Sequence, residues 1–274
     1  MESRGARIAL RITTGLVLMF LFVPLFIVVI YAFSGSIGQK WPIENWTTRW
    51  FGVAWHNSDV REALKNSMVA ASSATAIALV LGTMTAFAVH RFQFFGRQAI
   101  SFALVLPIAL PGIVTAMTLN SAINVAGIPF SLKTIIVGHA TFCVVVVFNN
   151  VIARLRRTPT SLVEASMDLG ADGWQTFRLV TLPVLRTALL AGGLLAFALS
   201  LDEIVVTNFT SGSEITLPKW IFDNLRQPRN RPVVNVVAVA IVVLSLVPVY
   251  LAQRLTRETG GRMTAARNPG AEGQ

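Results

Sequence analysis

The chain has 274 residues, of which 54% are apolar and only 13% charged, against about 25% charged in an ordinary soluble domain. Its apolar residues collect in runs of roughly 20, the length of a membrane-crossing helix, which excludes a large soluble domain and predicts one integral membrane domain in contact with lipid. The formal net charge of +10 comes from basic residues near the run ends, where they set orientation in a bilayer, and does not call for nucleic acid as a partner.

Arg4, Arg7 and Arg11 precede the first apolar run, 12–33. That run is longer than the roughly 7–15 residues of a signal-peptide core, so a retained first span is expected. Further runs at 68–89, 99–123, 134–153, 189–209 and 233–252 bring the total to about six. Pro107 and Pro111, followed by Gly112, predict a kinked or broken third span. Proline is tolerated at that depth when neighbouring groups satisfy the freed carbonyls. Basic residues such as Arg91, Arg97, Arg154, Arg156 and Arg157 sit beside span ends and favour an all-α membrane protein with both termini inside. The expected plan is a cytoplasmic N-terminus over 1–11 and a membrane domain over 12–258. A cytoplasmic loop is expected over 154–187 and a disordered tail over 259–274.

Trp41, Trp46, Trp50 and Trp55 crowd the first outer stretch and read as an interfacial aromatic belt rather than a ligand box. The outer stretch 210–232 is expected to hold a short helix around Leu217–Leu225. The lone Cys143 lies within an apolar run, where it packs as a small residue with no disulfide partner and no metal-ligand spacing. His90 and His139 read as hydrogen-bonded packing residues rather than a proton relay. Asn149 and Asn150 are expected to bond between helices, and Gly192, Gly193 and Ser200 to permit close helix approach.

The loop sequence SLVEASMDLGADGWQTFRLVTLP, 161–183, is the most structured segment outside the spans. Ser161 stands three residues before Glu164, and Asp172 three before Gln175, the spacing of a capping box. Leu162, Ala165 and Leu169 share a helical face, and Gly170 suits the left-handed turn that ends a helix. Trp174, Phe177 and Leu182 line a second helix that Pro183 punctuates. The result is a helical hairpin with Glu164 and Asp168 on one exposed face. These features fit a bare connector and a docking element equally.

The spacing Glu164-Ala165-Ser166, Gly170, Val180, Leu182-Pro183 resembles the Glu-Ala-Ala loop of importer permeases in the ATP-binding-cassette family. The departures are Ser166 for alanine and Val180 for isoleucine. The resemblance implies a type I importer permease fold, with Glu164–Gly170 forming a coupling helix that sits in a groove of an ATPase dimer. The chain itself has no G-x-x-x-x-G-K-[ST] stretch among its four lysines. It is therefore expected to be no enzyme and to hold no cofactor, with ATP and magnesium bound by a separate ATPase chain.

The stretches WTTRWF, LPIALPGIV, GHATFCVVVVFNNVIARLRR and ALSLDEIVVTNFTSG are similar to the second permease of spermidine/putrescine-type importers. That implies a homologous second permease, an extracytoplasmic substrate-binding protein and a place in the bacterial inner membrane. Asp202 and Glu203 fall in or near the fifth span, where a charge costs roughly 2.5–3.5 kcal/mol on insertion scales. Either they attract a cationic cargo in the pathway, or they are solvated at an interface or paired with an arginine of the partner permease. Neighbouring residues on a helix point about 100° apart, so the two acids are not expected to share a cavity. Close spermidine permeases carry an acid where Gly112 stands here, which leaves putrescine, another amine or amino-acid-like solute, or an organophosphonate as cargo. An ion-coupled carrier using Asp202, Glu203 and His139 is the alternative from another class, without the internal repeats such carriers show.

Overall fold

The computed structural model describes residues 4–265. Among them the chain runs through α1 (Arg4–Ala32), α2 (Arg49–His56), α3 (Ser58–Arg91), α4 (Arg97–Ala109), α5 (Gly112–Val125) and α6 (Leu132–Arg157). It continues through α7 (Ser161–Asp168), α8 (Gly173–Thr176), a π turn (Phe177–Thr181), α9 (Leu182–Leu201), α10 (Val205–Thr210), α11 (Leu217–Leu225) and α12 (Arg231–Ala265). Five stretches, Arg4–Ala32, Ser58–Arg91, Leu132–Arg157, Gly173–Leu201 and Pro228–Arg254, are long and apolar enough to cross a membrane among the described residues. The pair α4–α5 occupies the place of the expected third span.

That third span is broken where the prolines predicted. Leu110 is extended, with φ −79° and ψ 147°, because a residue preceding proline is pushed out of the α region. Pro111 then caps α5 without an N–H to leave unsatisfied. The fifth span differs from its expected limits of 189–209. Its helix begins earlier, at Leu182, and stops at Leu201, with a non-helical step at 202–204 before α10. Asp202 and Glu203 therefore do not lie on one continuous helix. The final helix runs on through Ala265, into the stretch expected to be a disordered tail; residues 266–274 fall outside the described residues.

The chain forms two compact units. One comprises the residues up to Arg61 together with Trp220–Val243. In it α1 buries only Ala32 and exposes apolar side chains along its length, such as Phe20 and Met19. Just after α1, Gly35 N–H donates to Asn45 O at 2.7 Å and Thr47 N–H to Phe33 O at 2.9 Å. Trp50 turns inward and donates its indole N–H to Ser34 O at 2.8 Å, with the Arg49 guanidinium 4.2 Å above its ring. Trp41, Trp46 and Trp55 remain exposed. The expected short helix appears as α11.

The other unit comprises Glu62–Lys219 and the chain from Leu244 onward. Its centre is α6, which packs against α9, α10 and α4 and buries His139, Phe142, Cys143, Val147, Phe148 and Val151 among others. The α3 helix meets this core with alanines: Ala70, Ala71, Ala74, Ala78 and Ala86 are all at most 1% exposed. A side chain at Gly82 would place its Cβ 2.9 Å from Val144 O and 3.0 Å from Val147 Cβ, and one at Gly192 would lie 3.2 Å from Asn150 Cβ. Close approach of small residues is how membrane helices gain dispersion contacts when lipid gives no hydrophobic bias between helices. Asn150, expected to bond between helices, instead donates to Val146 O on its own helix at 2.9 Å. Asn149 is exposed.

Gly82→Val forces the new side chain into α6 backbone and is expected to destabilise the fold by about 1–3 kcal/mol. The expected readout is a lower thermal-unfolding midpoint in detergent. Gly15→Val, where an added Cβ meets nothing within 4 Å, is expected to leave the midpoint unchanged.

Candidate functional site

Two structures in the α6-containing unit hold the residues singled out by sequence: the 158–181 loop and the break in the fifth span. In the loop, α7 starts from Thr160 rather than from a capping box at Ser161. Val163 N–H and Glu164 N–H both reach Thr160 O, and Leu162 N–H reaches Pro159 O. The Pro159 turn begins the helix one residue early, so Ser161 lies inside the first turn and Glu164 cannot serve as its reciprocal cap.

The end of α7 matches the expectation for Gly170. Ala171 N–H donates to Ser166 O at 3.1 Å, and Gly170 N–H to Met167 O at 2.9 Å, with Gly170 at φ +86°. That pair of bonds is a Schellman closure, and its left-handed residue favours glycine. Asp172 then caps α8: its Oδ1 accepts from Gln175 N–H at 2.7 Å, while Gln175 Oε1 accepts from Asp172 N–H at 3.0 Å. Ser166, the departure from alanine at the third motif position, has a structural use. Its hydroxyl is 3.1 Å from that of Thr176, a buried residue, and so ties α7 to α8.

The second helix is not punctuated by Pro183. After one turn of α8 the backbone widens into the π turn and passes without interruption into α9, where Pro183 occupies the first turn. Proline there has no N–H, and its ring crowds the carbonyl four residues back; Leu182 N–H reaches back instead to Phe177 O, five residues away. Single π turns of this kind occur often at functional sites. Phe177 stacks on Trp174, with ring centroids 5.6 Å apart, and meets Phe87 edge-on at 5.6 Å. Arg154 Nε donates to Val184 O at 3.1 Å and joins the end of α6 to the start of α9.

None of the α7 residues is buried. Leu162, Met167 and Leu169 are exposed, Leu169 at 90%, beside the exposed acids Glu164 and Asp168, and Trp174, Leu179 and Leu182 continue the apolar exposure. A cavity of about 480 Å³ opens between this loop and the ends of α3 and α6, lined by His90, Arg91, Leu155, Glu164, Met167 and Phe177 among others. The loop is thus rigidly capped inside and presents apolar side chains outside.

At the break, Asp202 ends α9 with φ −97° and ψ −1° and is exposed. Glu203 turns the other way. Its Oε1 accepts from Val206 N–H at 2.9 Å, satisfying a donor that the short α10 leaves open. A carboxylate also complements the positive end of a helix. The far end of α10 is closed by side chains: Asn120 Nδ2 donates to Phe209 O at 2.6 Å, and Thr134 Oγ1 lies 2.7 Å from Thr210 O. His139 on α6 lies between the two halves, with Nδ1 2.7 Å from Ser200 Oγ and Nε2 2.9 Å from Thr207 Oγ1. Sequence reasoning missed Asn120, Thr134 and Thr207. Their signal was polarity inside apolar runs, which becomes informative only once the break they repair is known.

The two neighbouring acids have different surroundings: Asp202 is exposed, and Glu203 is engaged with backbone. Gly112, at the start of α5, has nothing within 4 Å of where a Cβ would stand. Among the described residues no three metal-ligating side chains come together.

Residues 78–260 match the family model described as "Binding-protein-dependent transport system inner membrane component". The chain is 34% identical over 241 residues to the spermidine/putrescine transport system permease protein PotC of Haemophilus influenzae, covering 87% of this chain and 93% of that one. It is 33% identical over 252 residues to the putrescine transport system permease protein PotI of Escherichia coli K12, covering 87% and 89%. In fold it resembles a chain of a bacterial alginate ABC transporter crystallised with an alginate-bound periplasmic protein, with a TM-score of 0.66 at 14% identity, covering 92% of this chain and 94% of that one. A chain of apolar crossings with this loop, matched over most of its length, is a multi-pass membrane transport subunit of the type I permease fold and belongs to the inner membrane component family of binding-protein-dependent transport systems.

Proposed function

We propose that this subunit forms half of the translocation pathway for a small organic cation of the polyamine class, putrescine or spermidine. A separate ATP-binding-cassette ATPase dimer, which binds the ATP and magnesium, drives it through the 158–181 loop on the cytoplasmic face. A second, homologous permease completes the pathway, and an extracytoplasmic binding protein delivers the cargo. The observation that carries the cargo assignment is Asp202, an exposed carboxylate at the point where the helix of the fifth span stops. Irregular backbone at that depth is tolerated where it lines a water-filled cavity or is buried in protein, and an acid there is expensive unless it serves a cation. The polyamine relatives point to the same chemistry. The absence of an acid at Gly112 favours a smaller diamine or another amine over a longer polycation that would gain from a further carboxylate. An ion-coupled carrier has no use for a binding-protein-dependent family's loop, and that alternative is set aside.

For the engine, support comes from exposed apolar side chains on and just after α7. Leu162, Met167 and Leu169 would gain burial in a groove of the ATPase, while the caps at Gly170 and Asp172 keep the helix from deforming under load. Motion of the loop would then pass as a rigid-body or helix-shift transition into the spans.

Two expected outcomes follow. In proteoliposomes containing the complete importer, Asp202→Asn is expected to lower putrescine uptake about tenfold, equivalent to ~1.4 kcal/mol, with assembly unchanged. Uptake equal to wild type would remove Asp202 from the pathway. Glu164→Ala combined with Gly170→Asp is expected to abolish transport and reduce ATPase co-purification while the protein still inserts; ATPase recovered in full would disprove docking at the loop.

A further inference from the structure

The fifth crossing is made of two helices whose backbone bonding stops between them. Movement of the 158–181 loop enters α9 directly, because the π turn and α9 are continuous. It would be carried along the hydrogen-bonded backbone of α9 only as far as Leu201. The α10 helix is joined to α9 in sequence by 202–204 alone, which is non-helical. A side chain from α6 crosses this gap.

His139 touches both halves through its two ring nitrogens, Ser200 on α9 and Thr207 on α10. All three side chains are buried, at 1%, 3% and 0% exposure. The direction of the chain of bonds follows from one further contact. Thr207 Oγ1 is 2.9 Å from Glu203 O, and a carbonyl can only accept. The threonine proton therefore goes to that carbonyl, so Thr207 Oγ1 accepts from Nε2–H. Nδ1 is left as an acceptor, and Ser200 O–H donates to it. One neutral tautomer satisfies every atom, from α9 through the imidazole to α10 and back to the break at Glu203. The same residue, Glu203, also caps α10. At its other end α6 runs into the loop and is tied to the beginning of α9 by Arg154.

We propose that His139 is a positioning residue that couples α10 to the loop: it makes α6, α9 and α10 move as one body, so that displacement of the loop reaches the segment beyond the break. The proposal rests on the reading that the loop receives the motion of an ATPase. It assigns His139 no contact with cargo and no proton to transfer.

The test uses the complete importer in proteoliposomes, with radiolabelled putrescine as cargo, and measures cargo moved per ATP hydrolysed. His139→Ala is expected to leave ATPase activity stimulated by the loaded binding protein within about twofold of wild type while cargo per ATP falls at least about tenfold. His139→Gln, whose amide offers an acceptor oxygen and a donor NH2 group, is expected to restore the ratio substantially. Ser200→Ala removes only the α9 arm and is expected to uncouple as well, which keeps the test available if His139→Ala fails to assemble. A ratio equal to wild type in assembled His139→Ala or Ser200→Ala transporter would overturn the proposal, even if less transporter is recovered, because a purely structural role changes yield and not stoichiometry. A second readout needs no cargo: hydrogen exchange of the α10 amides, compared between nucleotide-free and ATP–vanadate-trapped complex. Wild type is expected to differ between the two states, and His139→Ala to exchange faster and lose the difference. If wild-type importer moves no polyamine, the cargo reading fails alone, and exchange unchanged by His139→Ala would then overturn the coupling role by itself.

Discussion

Inside a bilayer every backbone N–H and C=O must find a partner within the protein, since each orphan costs several kcal/mol. This constraint explains why the crossings are helices and, more usefully, where polar side chains have been placed. Among the described residues the expected third and fifth spans are interrupted at Leu110–Pro111 and at 202–204, and the two interruptions are treated differently. At Leu110–Pro111 the break falls where proline leaves one N–H fewer to satisfy and holds the residue before it extended. At 202–204 the chain has no proline or glycine and uses side chains. Glu203 satisfies the start of α10, Asn120 and Thr134 satisfy its end, and His139 joins its side to α9. Buried Thr134, His139, Ser200, Thr207 and Thr210 all gather at this one defect.

The 158–181 loop obeys the opposite rule, because water can satisfy its backbone. There the caps serve stiffness. Gly170 and Asp172 close the two ends of a short bend, and Ser166 and Thr176 fasten its two arms together. The leucines of this stretch and Met167 remain exposed on the stiffened bend.

Which parts could be read in the sequence follows from the same distinction. Features with a local cause were legible: span lengths from apolar runs, the broken third span from Pro111, the helix stop from Gly170, the cap at Asp172 and the α11 helix. Features with a tertiary cause were not. ALSLDEIVV carries no helix breaker, so the break after Leu201 becomes visible only when His139, Ser200 and Thr207 are placed together. Pro183 was misread because a proline at a helix's first turn and a proline after a helix's end look alike in sequence. The helix that contains it starts at Leu182 with no interval, since a π turn absorbs the missing bond. Asn150 was misread because its amide bonds the carbonyl one turn back on its own helix, and nothing local in the sequence separates that choice from a bond to a neighbouring helix.

Along 70–78 the α3 helix meets the core with alanines, before Leu79, Phe87 and Val89 supply larger side chains nearer its end. Alanine has no rotamers to lock, and its methyl groups stand in low relief. Ridges of leucine or phenylalanine would have to unseat from their grooves before one helix could slide on another; the alanine stretch has little to unseat. That stretch therefore combines tight contact with a small barrier to shear, as a bearing does. A transporter that must stay sealed while its helices change angle needs that combination more than it needs depth of interdigitation.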